Sequence, residues 1–102
     1  MFAMTMTMRI QSPIELLMHE LESTPSSSRR ARIIRLLALS HMPEVIDSIA
    51  PFLSGEGRVR RAAIEAIVSF GDDARRPMVD ILGDDDRRDL HRGAVLVLAG
   101  IV

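Results

Sequence analysis

Apolar residues recur along most of this chain at the spacing of an α-helix. The clearest stretch runs from Arg58 to Asp86. Within it Val59, Ala62, Ala63, Ala66, Ile67 and Phe70 fall at i, i+3, i+4, i+7, i+8 and i+11, one face of a single helix. Gly71 stops that helix, and the Asp72–Asp73 pair is expected to cap the next. The next helix is shorter, with Ala74, Met78, Ile81 and Leu82 on its apolar side, and it ends at Gly83 before three aspartates. This unit is a helical hairpin whose packing face carries small residues, where two backbones can approach closely.

The same pattern extends to both sides. Ser12-Pro13-Ile14-Glu15 combines an N-cap serine, a proline at the first helical position and a glutamate three residues after the serine. Ile14, Leu17 and Leu21 then mark a short helix ending near Glu22, and residues 23–28 read as a loop by composition. A second helix over residues 29–40 carries Ile33, Leu36, Leu37 and Ser40 on one side. Pro43 is placed at the opening of a third, whose apolar face is Val45, Ile46, Ile49, Phe52 and Leu53, with a kink expected at Pro51. Residues 54–57 form a turn. The last helix, over residues 87–101, has Leu90, Ala94, Val97, Leu98 and Ile101 in phase. Residues 1–10 alternate methionine with threonine and carry no helical period, so residues 1–11 are expected to be a flexible N-terminal arm.

Six helices in short-then-longer pairs imply a repeat, and sliding the chain on itself finds one. Leu53 and Leu82 lie 29 apart, Val59–Ala63 matches Leu90–Ala94 at 31, and Ile33–Leu37 matches Ala63–Ile67 at 30. The fold expected is all-α: three hairpins over residues 12–40, 42–70 and 73–101 within one domain spanning 12–102, stacked as a right-handed α-solenoid. The Val-Arg-Arg-Ala-Ala helix ending in Phe-Gly-Asp, followed by Ala-x-x-Pro and a Leu-Gly-Asp turn, resembles a HEAT repeat of the short, phycobilisome-lyase type. The resemblance is strongest over residues 58–83 and weakest before residue 42. It implies an architecture and a macromolecule-binding role more than any chemistry.

Composition narrows the field of functions. The chain has 102 residues, no cysteine, no tryptophan or tyrosine, three phenylalanines and a net charge of −1. Without cysteine there is neither a disulfide framework nor a thiolate metal site. All 13 basic side chains apart from histidine are arginine, a residue suited to bidentate pairing with carboxylates or phosphates. No apolar run approaches the ~20 residues of a membrane helix, and the first ten residues lack the n-region and apolar core of a signal peptide. A cytoplasmic protein is the expectation. No serine sits in a Gly-x-Ser-x-Gly setting and no glycine-rich phosphate loop follows a strand, so no enzyme is expected. Neither a cofactor nor a metal is expected either. His19, His41 and His91 are scattered, and Asp84-Asp85-Asp86 lacks the spacing and closing glutamate of a calcium loop. His91 is read as an exposed residue on the last helix.

The arginines cluster at the starts of the longer helices, with Glu56 and Asp84–Asp86 in the turns before two of them. Acids there are expected to favour the positive helix ends and to pair with arginines one repeat over. Such pairing, with no aromatic interleaved for base stacking, disfavours nucleic acid, which stands as the alternative alongside a lyase-like accessory role. The preferred function is a non-catalytic adaptor or scaffold for a protein partner. Its candidate surface is the outward side of the longer helices: Arg61, Ile64, Glu65 and Val68; then Arg92 with Val95, Leu96 and Ala99; and, at a spacing of 30, Ala31, Ile34, Arg35 and Ala38. Apolar patches rimmed by charge are what a protein-binding groove presents. Residues 93–102 are apolar on every side of their helix, so a homodimer with Val95, Leu96 and Ala99 at the seam is also expected.

Overall fold

The computed structural model describes residues 12–101, so the arm read at residues 1–11 lies outside the described residues. Helices α1 (Pro13–Ser23) and α2 (Ser27–Ala38) form the first pair. In the second, α3 (Val45–Ile49) runs into a 3₁₀ segment (Ala50–Ser54) and is followed by α4 (Gly57–Val68). A 3₁₀ turn (Gly71–Ala74) leads to α5 (Arg75–Leu82), and another (Asp85–Arg87) leads to α6 (Arg88–Gly100), which completes the third. There is no strand among the described residues.

Local chemistry accounts for the helix starts. At α1 the Glu15 N–H donates to Ser12 Oγ (3.1 Å) and the Ser12 N–H donates to Glu15 Oε1 (3.2 Å), the reciprocal box expected from the sequence. The serine run behaves differently from its reading as a loop. Ser26 Oγ accepts from the Arg29 N–H at 3.2 Å, so Ser27 and Ser28 belong to the first turn of α2. Poor helix formers cost little there, because first-turn N–H groups have no intrahelical partner in any case. Pro43 sits in the preceding turn rather than opening α3, which starts at Val45. At Ala50 the winding tightens from α to 3₁₀ next to Pro51, which has no N–H to continue the α ladder.

Helix ends show one correction. Gly71 adopts a left-handed φ of 59° and stops α4, as its position suggests. Asp72 and Asp73 then fall inside the 3₁₀ turn, and no side chain caps α5. Asp72 Oδ1 instead accepts from Arg75 Nε at 2.6 Å. His41 holds the corresponding position after α2 with φ 59°, a left-handed conformation that costs a residue with a side chain about 1 kcal/mol more than glycine.

Helix α4 is the centre of the stack, packing on α2 on one side and α6 on the other. Ala62 and Ala63 are fully buried and Ala66 nearly so, which lets the flanking helices come close. Larger side chains join around them: Leu21, Ile34 and Leu37 from the first pair, Ile46, Ile49 and Leu53 from the second, and Met78, Ile81 and Val97 from the third. Ala63→Leu is expected to lower stability by about 2 kcal/mol through overpacking, read as a fall in Tm. A melt matching that of the parent would show that Ala63 does not sit at a tight crossing.

Burial also resets the repeat register in the first pair. Between α4 and α6 the spacing is 31: Val59, Ala62, Ala63 and Ala66 are buried, and so are Leu90, Gly93, Ala94 and Val97. Between α2 and α4 it is 29, not 30, because Ile33, Ile34 and Leu37 fill the slots of Ala62, Ala63 and Ala66. Ala31 and Ile34, expected on the outward side, are therefore buried at 1% and 0% exposure, and Ala38 is half-buried. Leu36, expected in the core, is 44% exposed. The slot matching Val59 and Leu90 is taken by Arg30, whose guanidinium lies over the Phe52 ring at 5.4 Å. Its Nε is buried without a hydrogen-bond partner, and the Phe52 ring face lies against the guanidinium.

Candidate functional site

The outward side of α2, α4 and α6 is built from positions that share one helical phase. With the corrected register its first row is Arg32, Arg61 and Arg92, all exposed. One turn along come Arg35, Ile64 and Val95, then Leu36, Glu65 and Leu96, and beyond them Leu39, Val68 and Ala99. Arg32, Leu36 and Leu39 were not among the sequence-based candidates. The signal that finds them is the slot occupied by Arg30, since shifting the first pair by one residue turns Leu36 outward and Ile34 inward.

Two adjacent grooves run across this side. One, of about 490 Å³ between α4 and α6, is lined by Gly57, Arg60, Arg61, Ile64, Glu65 and Leu96. The other, of about 400 Å³ between α2 and α4, is lined by Arg35, Ala38, Leu39 and His41 facing Ala62, Glu65, Ala66 and Ser69. Glu65 stands on the ridge between them and lines both. The structure thus brings together Arg35, Arg61, Ile64 and Glu65. Val68 also contributes to packing within the stack. It is half-buried, and a Cβ on Gly100 would lie 3.0 Å from its Cγ2, so it packs α4 onto the end of α6. Arg92 is exposed on α6 but lines neither groove. Leu96 faces α4 across the first groove, while Val95 occupies the position of Ile64 and is 52% exposed.

The electrostatics depart from the expected ladder. Ion pairs among the described residues join Arg29 to Glu20 (2.9 Å), Arg75 to Asp72 (2.6 Å), Arg76 to Asp80 (3.7 Å) and Arg87 to Asp84 (2.9 Å). Each stays within one helical pair or its adjoining turn. None links one repeat to the next, because the acids sit in the turns close to arginines of the same segment, and the short local reach wins. A polar bridge between repeats is instead neutral on one side: Arg58 Nη1 donates to Ser28 Oγ at 2.9 Å. Arg32, Arg35, Arg61 and Arg92 have no ion-pair partner among the described residues.

The acidic turn is a structural joint. Asp84 Oδ1 accepts the Asp86 N–H at 3.0 Å and its other oxygen accepts from Arg87 Nε, which together hold the Asp84 carboxyl below the usual carboxylate range. His91, expected in solvent, is half-buried, and its Nε2 donates to the Asp84 carbonyl oxygen at 3.0 Å. No group of three or more His, Asp or Glu side chains among the described residues is arranged to hold a metal ion. Likewise no helix among them is long and apolar enough to cross a membrane.

Antiparallel helix pairs stacked on a shared core, each presenting its second helix outward, define an α-solenoid. The family described as HEAT repeats matches residues 14–99, and the chain belongs to it. No curated protein and no solved structure matches the chain. HEAT repeats are commonly protein-interaction scaffolds, and the family is generally non-enzymatic.

Proposed function

We propose that this chain is a non-catalytic interaction module that holds a partner protein against the outward side of α2, α4 and α6. The observation that carries this reading is the mixed character of that side: exposed Leu36, Leu39, Val95 and Leu96 lie beside arginines free of ion pairs among the described residues. Aliphatic side chains supply area to bury, and arginine is a frequent interface anchor. The contact residues in this reading are Arg35, Arg61, Ile64, Glu65, Val68 and Arg92. When no partner occupies that side, a second copy of the chain meets α6 through Val95, Leu96 and Ala99.

Nucleic acid fits this side less well. Glu65 stands in the middle of it, exposed aliphatics gain nothing from a phosphate backbone, and neither Phe52 nor Phe70 lies in its rows. A photo-crosslinking side chain at position 64, compared with one at Asp47 on α3, tests the location in extract of the native host. Adducts with protein are expected from position 64 alone, and Arg61→Glu with Arg92→Glu should remove them while the circular dichroism stays helical. Adducts from position 47 alone, or undiminished adducts in the double variant, would move the site elsewhere.

A further inference from the structure

The proposed surface leaves open what chemistry its partner carries. Arg32, Arg61 and Arg92 occupy one phase on three parallel neighbours, so they form a row running across the helices. Packed helices lie about 8–10 Å apart, which sets the step between successive guanidinium groups. All three are exposed and none has an ion-pair partner among the described residues. One and two turns along, a parallel band of aliphatic side chains runs beside them: Leu36 (44% exposed), Leu39 (69%), Val95 (52%) and Leu96 (44%), interrupted by Arg35 and Glu65. The arginine row and the aliphatic band thus run side by side across the helices that carry them, with Arg35 and Glu65 set into the band.

We propose that the occupant is an amphipathic helix of the partner protein, lying across α2, α4 and α6 with a row of carboxylates on the arginine stripe and aliphatic residues on the band beside it. This rests on the interaction-module reading above. The step decides the form of the partner. An α-helix rises 1.5 Å per residue, so acids seven apart lie about 10.5 Å apart on one face, close to the arginine step. Residues one and four on from each acid lie about 100° and 40° round the helix, both to the same side of the acid row, and meet the aliphatic band. An extended strand matches less well, because side chains three apart point to opposite faces. Guanidinium forks suit carboxylates bidentately, and the apolar stripe suits a protein helix where a phosphodiester chain offers it nothing.

The test uses the full chain and a synthetic peptide of about three heptads, with glutamate at every seventh position and leucine one and four residues later. Its partners in the assay are the same peptide with glutamine for glutamate and an oligothymidylate of matched length, all read by fluorescence anisotropy. The glutamate peptide is expected to bind at least about tenfold more tightly than the glutamine peptide. Replacing Arg32, Arg61 and Arg92 together by glutamine should erase that difference, whereas Arg75→Gln with Arg76→Gln should leave it intact. Equal affinity for the two peptides, tighter binding of the oligothymidylate, or no peptide binding overturns the proposal. Protein adducts at position 64 together with a silent glutamate peptide would retain the interaction surface and discard the acidic helix. Silence in both assays would discard both.

Discussion

Gly93→Val is expected to lower the stability of this chain by about 3 kcal/mol or more, a fall in Tm of about 15 °C for a domain of this size. Gly93 lies in the first half of α6, where that helix crosses the 3₁₀ segment of the second pair. A Cβ built there would stand 2.7 Å from the Leu53 Cβ and 3.2 Å from the Leu53 carbonyl oxygen. Both obstacles are fixed to the backbone, so no change of rotamer relieves the clash and α6 has to move as a body. The equivalent slots hold Ile33 in α2 and Ala62 in α4, and the shrinking side chain marks a crossing that tightens along the stack. Gly93→Ala removes about 1 kcal/mol of glycine's helix penalty and still introduces the clash, so it should destabilise less than valine without becoming neutral. Gly100→Ala is the contrast. Its Cβ would meet Val68 Cγ2 at 3.0 Å, a side-chain methyl that can rotate away, and its effect should be small. Thermal melts of the three variants rank these crossings, and a Gly93→Val protein as stable as the parent would mean that α6 does not approach Leu53 so closely.

That crossing was only partly legible in the sequence. The helical phase of α4 and α6 could be read because small buried residues alternate there with charged exposed ones: Ala62 and Ala63 against Arg61 and Glu65, Gly93 and Ala94 against Arg92. In α2 the two apolar pairs Ile33-Ile34 and Leu36-Leu37 satisfy either of two registers one residue apart. Only three-dimensional packing separates them, by burying Ile34 and exposing Leu36. The clue was that the residue in line with Val59 and Leu90 is an arginine, which looks like a surface residue until Phe52 is seen beneath it. Composition misled for the serines of residues 26–28, since capping makes them good helix starters rather than loop residues. Charge misled in the turns, where a carboxylate reaches an arginine three residues on more readily than one on the next repeat. That last error bears on function: no turn acid reaches across to the next repeat, and the outward arginines have no ion-pair partner among the described residues.

Val95→Glu is expected to convert a dimer of this chain into a folded monomer, seen in sedimentation as a halving of particle mass with unchanged helical circular dichroism. The reasoning compares the same position in two repeats. Ile64 and Val68 are half-buried because α6 covers the side of α4 that they occupy. Val95 and Ala99 hold those positions on α6, where Val95 is 52% exposed and Ala99 exposed, and no described element covers them. The same helix face that is packed once inside the stack is therefore presented a second time, ready to be packed again. A second copy related by a two-fold axis supplies a matching surface, since each patch then meets itself. At such a seam every substitution appears twice: Val95→Glu removes two apolar side chains and sets two carboxylates against each other across the axis. Inside the monomer the change costs little, because the site is half open to water and helix propensity improves. A parent chain that sediments as a monomer at high concentration, or a variant that remains dimeric, would show that this face of α6 is not the seam.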